Sequence, residues 1–293
     1  MTSPAPLPPP GGPPAGWYPD PAGWGSRYFD GREWATGPAL VVPGEPVREP
    51  HPTLRFNDAL VALAILAVSL VAARLISDLV VDLGAPQLVD AAVAIVVAYG
   101  PSLWWCRRVW RRQPTGPRTV GWGFRWVDTG WGPLLYVGAM AGQVIVLVML
   151  DWLGVPFTSN VEDTSDLDRT ASYVIALIAT AVVAAPLVEE LVFRGVVLRG
   201  LTSRIGVVAA VIVQGALFGT AHVDPSRGWG NIGLAIALST VGGAFGLVAV
   251  LTRRLAAPII AHAILNGVVV TLVLTGVTDD LERDFGVLLA LVR

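Results

Sequence analysis

From Ala59 to Val277 the chain passes through seven apolar segments, near residues 59–81, 87–106, 133–150, 172–199, 206–223, 231–252 and 256–277. Most approach the roughly 20 residues that a helix needs to cross a bilayer. Apolar runs this long and this numerous cannot all be hidden in one water-soluble core. In lipid a backbone must satisfy its own hydrogen bonds, and a helix does so within one segment. The segments predict an all-α polytopic membrane protein, a bundle of about seven or eight transmembrane helices. An apolar tail at 286–292 supplies part of the eighth. Composition agrees: 54% of residues are hydrophobic and only 14% charged, less charge than a soluble domain carries. A net charge of -2 speaks against a nucleic-acid partner. The single cysteine, Cys106, excludes an internal disulfide and a Cys-based zinc site.

The arginines set the orientation. Arg48 and Arg55 precede the first segment; Arg107, Arg108, Arg111, Arg112 and Arg118 follow the second. Arg199 and Arg204 follow the fourth, and Arg253 and Arg254 the sixth, whereas the loop after the third, "SNVEDTSDLDRT", is acidic. The positive-inside rule puts the N-terminus and the arginine loops in the cytoplasm of a multi-pass cell-membrane protein.

Ahead of this membrane domain, residues 58–293, lie three shorter pieces. Residues 1–15 form a Pro/Gly-rich tail that cannot build a core. The sequence opens with neither the basic region nor the apolar region of a secretory signal peptide. Residues 16–37 gather Trp17, Tyr18, Trp24, Tyr28, Phe29 and Trp34 around turn signals at "PDP" and "DG". That pattern predicts a small β-hairpin module, with an unstructured aromatic linker as the other reading. Residues 38–57 are a linker; His51 within it is given no role. The module resembles a short domain of unknown function found on actinobacterial membrane proteins. The resemblance rests on Trp17-Tyr18-Pro19-Asp20-Pro21 and Asp30-Gly31-Arg32-Glu33-Trp34 and brings no activity with it. The module is expected to dock, either onto lipid headgroups or onto a substrate or partner.

Ionisable groups at membrane depth are costly and usually functional. "AAPLVEELVFRG", residues 184–195, holds Glu189, Glu190 and Arg194. Glu190 and Arg194 are four apart and share a helix face, so they can pair. Glu189, about 100° away around the helix, can point elsewhere. From Glu189 the helix runs on by about eleven residues, roughly 16 Å, and the chain then returns over about sixteen residues, roughly 24 Å, to His222. His222 thus comes back near the depth of Glu189. A carboxylate and an imidazole there can share one water, as a general base and its partner do. His262 and Asn266, again four apart, can both donate hydrogen bonds, which suits an oxyanion hole. Taken singly, each group also reads as structural: a charge cluster, a helix-end histidine, an interhelical hydrogen bond.

Together, Glu189-Glu190-Leu191-Val192-Phe193-Arg194, Phe218-Gly219-Thr220-Ala221-His222 and His262-Ala263-Ile264-Leu265-Asn266 resemble the three motifs of the CPBP family of intramembrane proteases. That family includes the eukaryotic type II CAAX prenyl endopeptidase and bacterial abortive-infection proteins. The motif-bearing region covers 172–277. The resemblance implies an endopeptidase in which Glu189 and His222 activate water, and His262 and Asn266 hold the oxyanion. It casts Glu190 and Arg194 as a conformational support, with Glu190 counted among the catalytic group and Phe218 as structural support. It implies a membrane-associated peptide or protein substrate, unprenylated in the bacterial host that the N-terminal module suggests, cleaved near the cytoplasmic side.

Metal use divides descriptions of this family. No H-E-x-x-H spacing is present, but Glu189, His222 and His262 make a two-His, one-Glu set that suits Zn2+ with an open position. Glu190 would then be the base. The reading without a cofactor is preferred, because it gives Asn266 a task. Two other classes remain in view. A proton- or ion-coupled transporter also uses intramembrane carboxylates and histidines, although residues 59–150 hold no second copy of the motifs, as an internal repeat would. A non-catalytic immunity or scaffold protein on the same fold is the other.

Overall fold

The computed structural model describes residues 16–19, 26–30, 32–34, 54–157, 170–223 and 228–275. The tail at 1–15, His51, most of the acidic loop and the apolar segment 286–292 lie outside the described residues. The chain divides into two units, Met1–Pro50 and His51–Arg293.

In the first unit, β1 (Gly16–Pro19) and β2 (Ser26–Phe29) pair antiparallel, with Trp17 opposite Tyr28 and Tyr18 opposite Arg27. The hairpin expected from the aromatic pattern is present. Its Asp30-Gly31 pair, however, follows β2 instead of joining the strands. Asp30 Oδ1 accepts the N–H groups of Arg32 at 2.7 Å and Glu33 at 2.6 Å. Those two donors hold the Asp30 carboxyl below the ordinary carboxylate range and. The turn brings Trp34 back to bridge Phe29. Phe29 is buried beneath Trp34, 5.0 Å away, and Tyr18, 6.4 Å away.

The second unit is helical: α1 (Phe56–Asp82), α2 (Gln87–Trp110), α3 (Asp128–Trp152), α4 (Ala171–Ile205), α5 (Val207–Thr220), α6 (Gly230–Thr252) and α7 (Ala256–Thr275). All but α5 are long and apolar enough to cross a membrane. The sequence pattern counted the α5 segment as another span, but α5 stops at Thr220. Fourteen residues rise about 21 Å, short of a hydrocarbon core of about 30 Å. Gly206, at φ 77°, breaks α4 from α5 in a conformation that glycine adopts without strain.

Large apolar side chains such as Val68, Leu75, Val208 and Leu251 stay exposed on the outer faces, as lipid-facing residues do. The inside is built around α4, whose residues 190–201 are all buried. Around it, α1 packs on α2, α5 on α6, and α3 on α6 and α7. The α5–α6 contact is close because it is made by glycine. A Cβ on Gly215 would come within 2.9 Å of Ser239 O and of Gly243 N, the small-residue approach typical of membrane helices. Arg254, just after α6, grips Asp128 at the start of α3 through Nε and Nη2, at 2.9 and 2.6 Å. That carboxylate raises the hold of Arg254 on its proton.

Candidate active site

α4 is not uniform. Its turns widen to π spacing over Ile178–Ala184 and again over Leu191–Val197, on either side of an α-helical stretch, Ala185–Glu190. Pro186 opens that stretch. Proline has no N–H, and its ring crowds the carbonyl four residues back, so a widened turn ahead of it relieves a clash. Single π turns of this kind recur at functional sites. Here they frame the two glutamates.

Glu190 is fully buried. Its Oε1 accepts from Arg194 Nη1 at 2.8 Å and from His262 Nδ1 at 2.9 Å. The pair expected from the four-residue spacing therefore forms. Arg194, also fully buried, donates through Nη2 to Gly242 O at 3.2 Å. Its guanidinium lies over the rings of Phe218 (4.4 Å), Phe245 (5.3 Å) and Phe193 (5.9 Å). Cation–π contact with three rings helps offset the cost of taking both charges out of water. Phe218 therefore supports the site by sitting on Arg194, while its ring also lies tilted against His222 and edge-to-face with His262.

Glu189 points away from that pair and keeps 14% of its side chain exposed. Tyr99 Oη, from α2, donates to its Oε1 at 3.4 Å. Its other oxygen, Oε2, faces both histidines: His222 Nε2 at 3.9 Å and His262 Nε2 at 4.0 Å. The tautomers follow from the acceptors. His222 Nδ1 lies 2.8 Å from Phe218 O, a carbonyl that only accepts. His262 Nδ1 lies 2.9 Å from Glu190 Oε1, the oxygen that also accepts from Arg194 Nη1. Both rings therefore carry a proton on Nδ1 and turn Nε2 towards one oxygen of Glu189. Distances of 3.9–4.0 Å exceed a direct hydrogen bond. Among the described residues Glu189 Oε2 has no hydrogen-bond partner, although it is buried. Glu190 Oε2 is without a partner in the same way, so what sets Glu189 Oε2 apart is the two Nε2 atoms that face it.

Asn266, one turn beyond His262, donates through Nδ2 to Ala181 O at 2.7 Å. That uses one of its two amide hydrogens. Five of the residues singled out by sequence, Glu189, Glu190, Arg194, His222 and His262, thus meet in one cluster across α4, the end of α5 and α7. Tyr99 was missed by sequence reading, as was the link from His262 to Glu190.

The zinc alternative is a question of spacing. Tetrahedral zinc with bonds of about 2.0–2.1 Å sets its donors roughly 3.3–3.4 Å apart. The Nε2 atoms of His222 and His262 stand 3.9 and 4.0 Å from Glu189 Oε2. Among the described residues no group of three or more His, Cys, Asp or Glu side chains is arranged to hold a metal ion. As placed, the two Nε2 atoms stand wider from Glu189 Oε2 than the donors of tetrahedral zinc stand from one another.

Residues 171–268 match the family described as Type II CAAX prenyl endopeptidase Rce1-like. That stretch is less than half of the chain and contains every motif from Glu189 to Asn266. Residues 15–47 match a family described as a protein of unknown function, DUF2510. A protein of Bacillus subtilis (strain 168) named "Putative membrane peptidase YdiL" is 24% identical over 166 residues. The match spans 57% of this chain and 63% of that protein. No solved structure matches.

Proposed function

We propose that the protein is an intramembrane endopeptidase in which Glu189 is the general base. The observation that carries this is the convergence of two imidazole nitrogens on a buried oxygen of Glu189 that has no hydrogen-bond partner among the described residues. The likeness of residues 171–268 to an endopeptidase family and the name of the Bacillus subtilis relative support the same reading.

A water between Glu189 Oε2 and His222 Nε2 gives one hydrogen to each acceptor. Its oxygen lone pair is left to attack a peptide carbonyl. As the C–O bond forms, Glu189 takes the proton. The oxyanion draws on the second N–H of Asn266; with its proton on Nδ1, the His262 ring has no Nε2–H to give. Glu189 then returns its proton to the departing amine as the C–N bond breaks, and the carboxylate is restored. Tyr99 holds Glu189, Phe218 O holds His222, and Glu190 with Arg194 holds His262 in the orientation this needs. No step passes through a metal ion.

The substrate in this reading is an unprenylated, membrane-associated peptide or protein. The N-terminus and the arginine-rich loops face the cytoplasm. The test is purified protein in detergent against a library of membrane-proximal peptides, with Glu189→Ala in parallel. Products from wild type alone support the proposal. Products from both, or from neither, reject it.

A further inference from the structure

The hydrogen-bond register of α4 leaves one carbonyl without a backbone donor. At the end of the first widened stretch, the Ala185 N–H donates to Thr180 O, five residues back. In that register the next carbonyl, Ala181 O, takes its hydrogen from residue 186. Residue 186 is proline and has none to give. An unpaired carbonyl inside an apolar bundle is costly, so its partner must be found elsewhere. The partner is on another helix: Asn266 Nδ2 of α7, at 2.7 Å.

We infer that Asn266 stands in for the N–H that Pro186 lacks, and that it is thereby a positioning residue for the two glutamates. Pro186 precedes Glu189 by three residues and Glu190 by four, about one turn of helix. The widened turn is thus the joint on which both carboxylates swing. If Ala181 O loses its donor, the turn relaxes, either by tightening to α spacing or by opening. A shift of one residue in register rotates everything beyond it by about 100°. That would turn Glu189 Oε2 away from the Nε2 atoms of His222 and His262, and would pull Glu190 off His262. Asn266 fixes the rotational phase of the segment that carries the site. Asparagine suits the task because one amide hydrogen caps the carbonyl and the second stays free. The inference rests on the hydrolase reading only for its activity readout.

A double-mutant cycle tests it on the full chain in detergent. Asn266→Ala removes the cap, and Pro186→Ala restores a backbone N–H at the position that faces Ala181 O. Asn266→Ala alone is expected to lower Tm by roughly 2–6 °C, the effect of one lost buried hydrogen bond in a domain of this size, and to lower kcat/KM. With Pro186→Ala added, the drop in Tm caused by Asn266→Ala should shrink to less than half, the coupling of contacting sites; kcat/KM should regain only the part lost through the turn, because the second amide hydrogen of Asn266 is absent from both variants. If Asn266→Ala costs the same Tm with proline or alanine at 186, the two residues are independent and the inference is overturned. The Tm arm decides even for a protein that cleaves nothing, so failure of the hydrolase reading is told apart from failure of this one. Pro186→Ser, which also carries an N–H, serves where Pro186→Ala folds poorly.

Discussion

His262 reaches from α7 to Glu190 on α4, Nδ1 to Oε1 at 2.9 Å, and so turns its free Nε2 towards the neighbouring Glu189. The two adjacent glutamates thus have separate tasks. Glu190 sits with Arg194 as an anchor, and the histidine it orients serves the site that Glu189 faces.

That division predicts different outcomes for the two ends of the anchor and for the base. Glu190→Ala or Arg194→Ala leaves one unpaired charge among Phe193, Phe218 and Phe245. The cost is about 3–5 kcal/mol. Both variants should melt well below wild type in detergent and lose activity in parallel. A Glu190→Ala protein that melts like wild type would reject the anchor and make Glu190 the better candidate for the base.

Tyr99→Phe keeps the ring and removes the hydroxyl that holds Glu189 Oε1 at 3.4 Å. A hydrogen bond to a charged group contributes about 1.5–3 kcal/mol at good geometry, and this one is long, so a loss of about 1 kcal/mol, or fivefold, is expected. The loss should fall on kcat with KM unchanged, since the hydroxyl positions the base and does not bind substrate. A rise in KM at constant kcat would move Tyr99 to the substrate groove.

How legible this was from sequence depends on the direction of the contact. Contacts along one helix could be read from spacing: Glu190 to Arg194, and Phe218 O to His222. The shared depth of Glu189 and His222 also followed from helix rise and a short turn. Contacts across helices could not be read, because they depend on how α2, α4 and α7 pack. Tyr99 on Glu189, His262 on Glu190 and Asn266 on Ala181 O are all of this kind. The α5 segment was counted as a full span because hydropathy continues to Val223, whereas the helix ends at Thr220 and sets His222 on the turn beyond. In the N-terminal unit the aromatic spacing did indicate a hairpin. The Asp30 turn was misplaced because its side chain, capping two N–H groups, folds Trp34 back after the second strand.

Metal removal gives a further prediction. The proposed mechanism passes no step through a metal ion, so exhaustive treatment with a chelator should leave peptide cleavage within about twofold of the untreated enzyme, below the 10- to 100-fold typical of disturbed metal sites. Activity that vanishes and returns with added Zn2+ would contradict the mechanism.

The aromatic hairpin at the N-terminus supplies no group that the proposed mechanism lacks. Deleting residues 1–50 should leave cleavage of a short peptide in detergent largely intact and alter placement or partner choice in cells. A truncated protein that melts normally but cannot cleave the peptide would make the hairpin part of the machinery.

Glu189→Gln is the sharpest measurement. Glutamine keeps the shape and the contact with Tyr99 but cannot take a proton from water. Single-turnover cleavage of a membrane-proximal peptide should fall by roughly 10²–10⁴-fold, while the melting temperature in detergent stays at the wild-type value. Wild-type turnover by Glu189→Gln would contradict the assignment of Glu189 as the base.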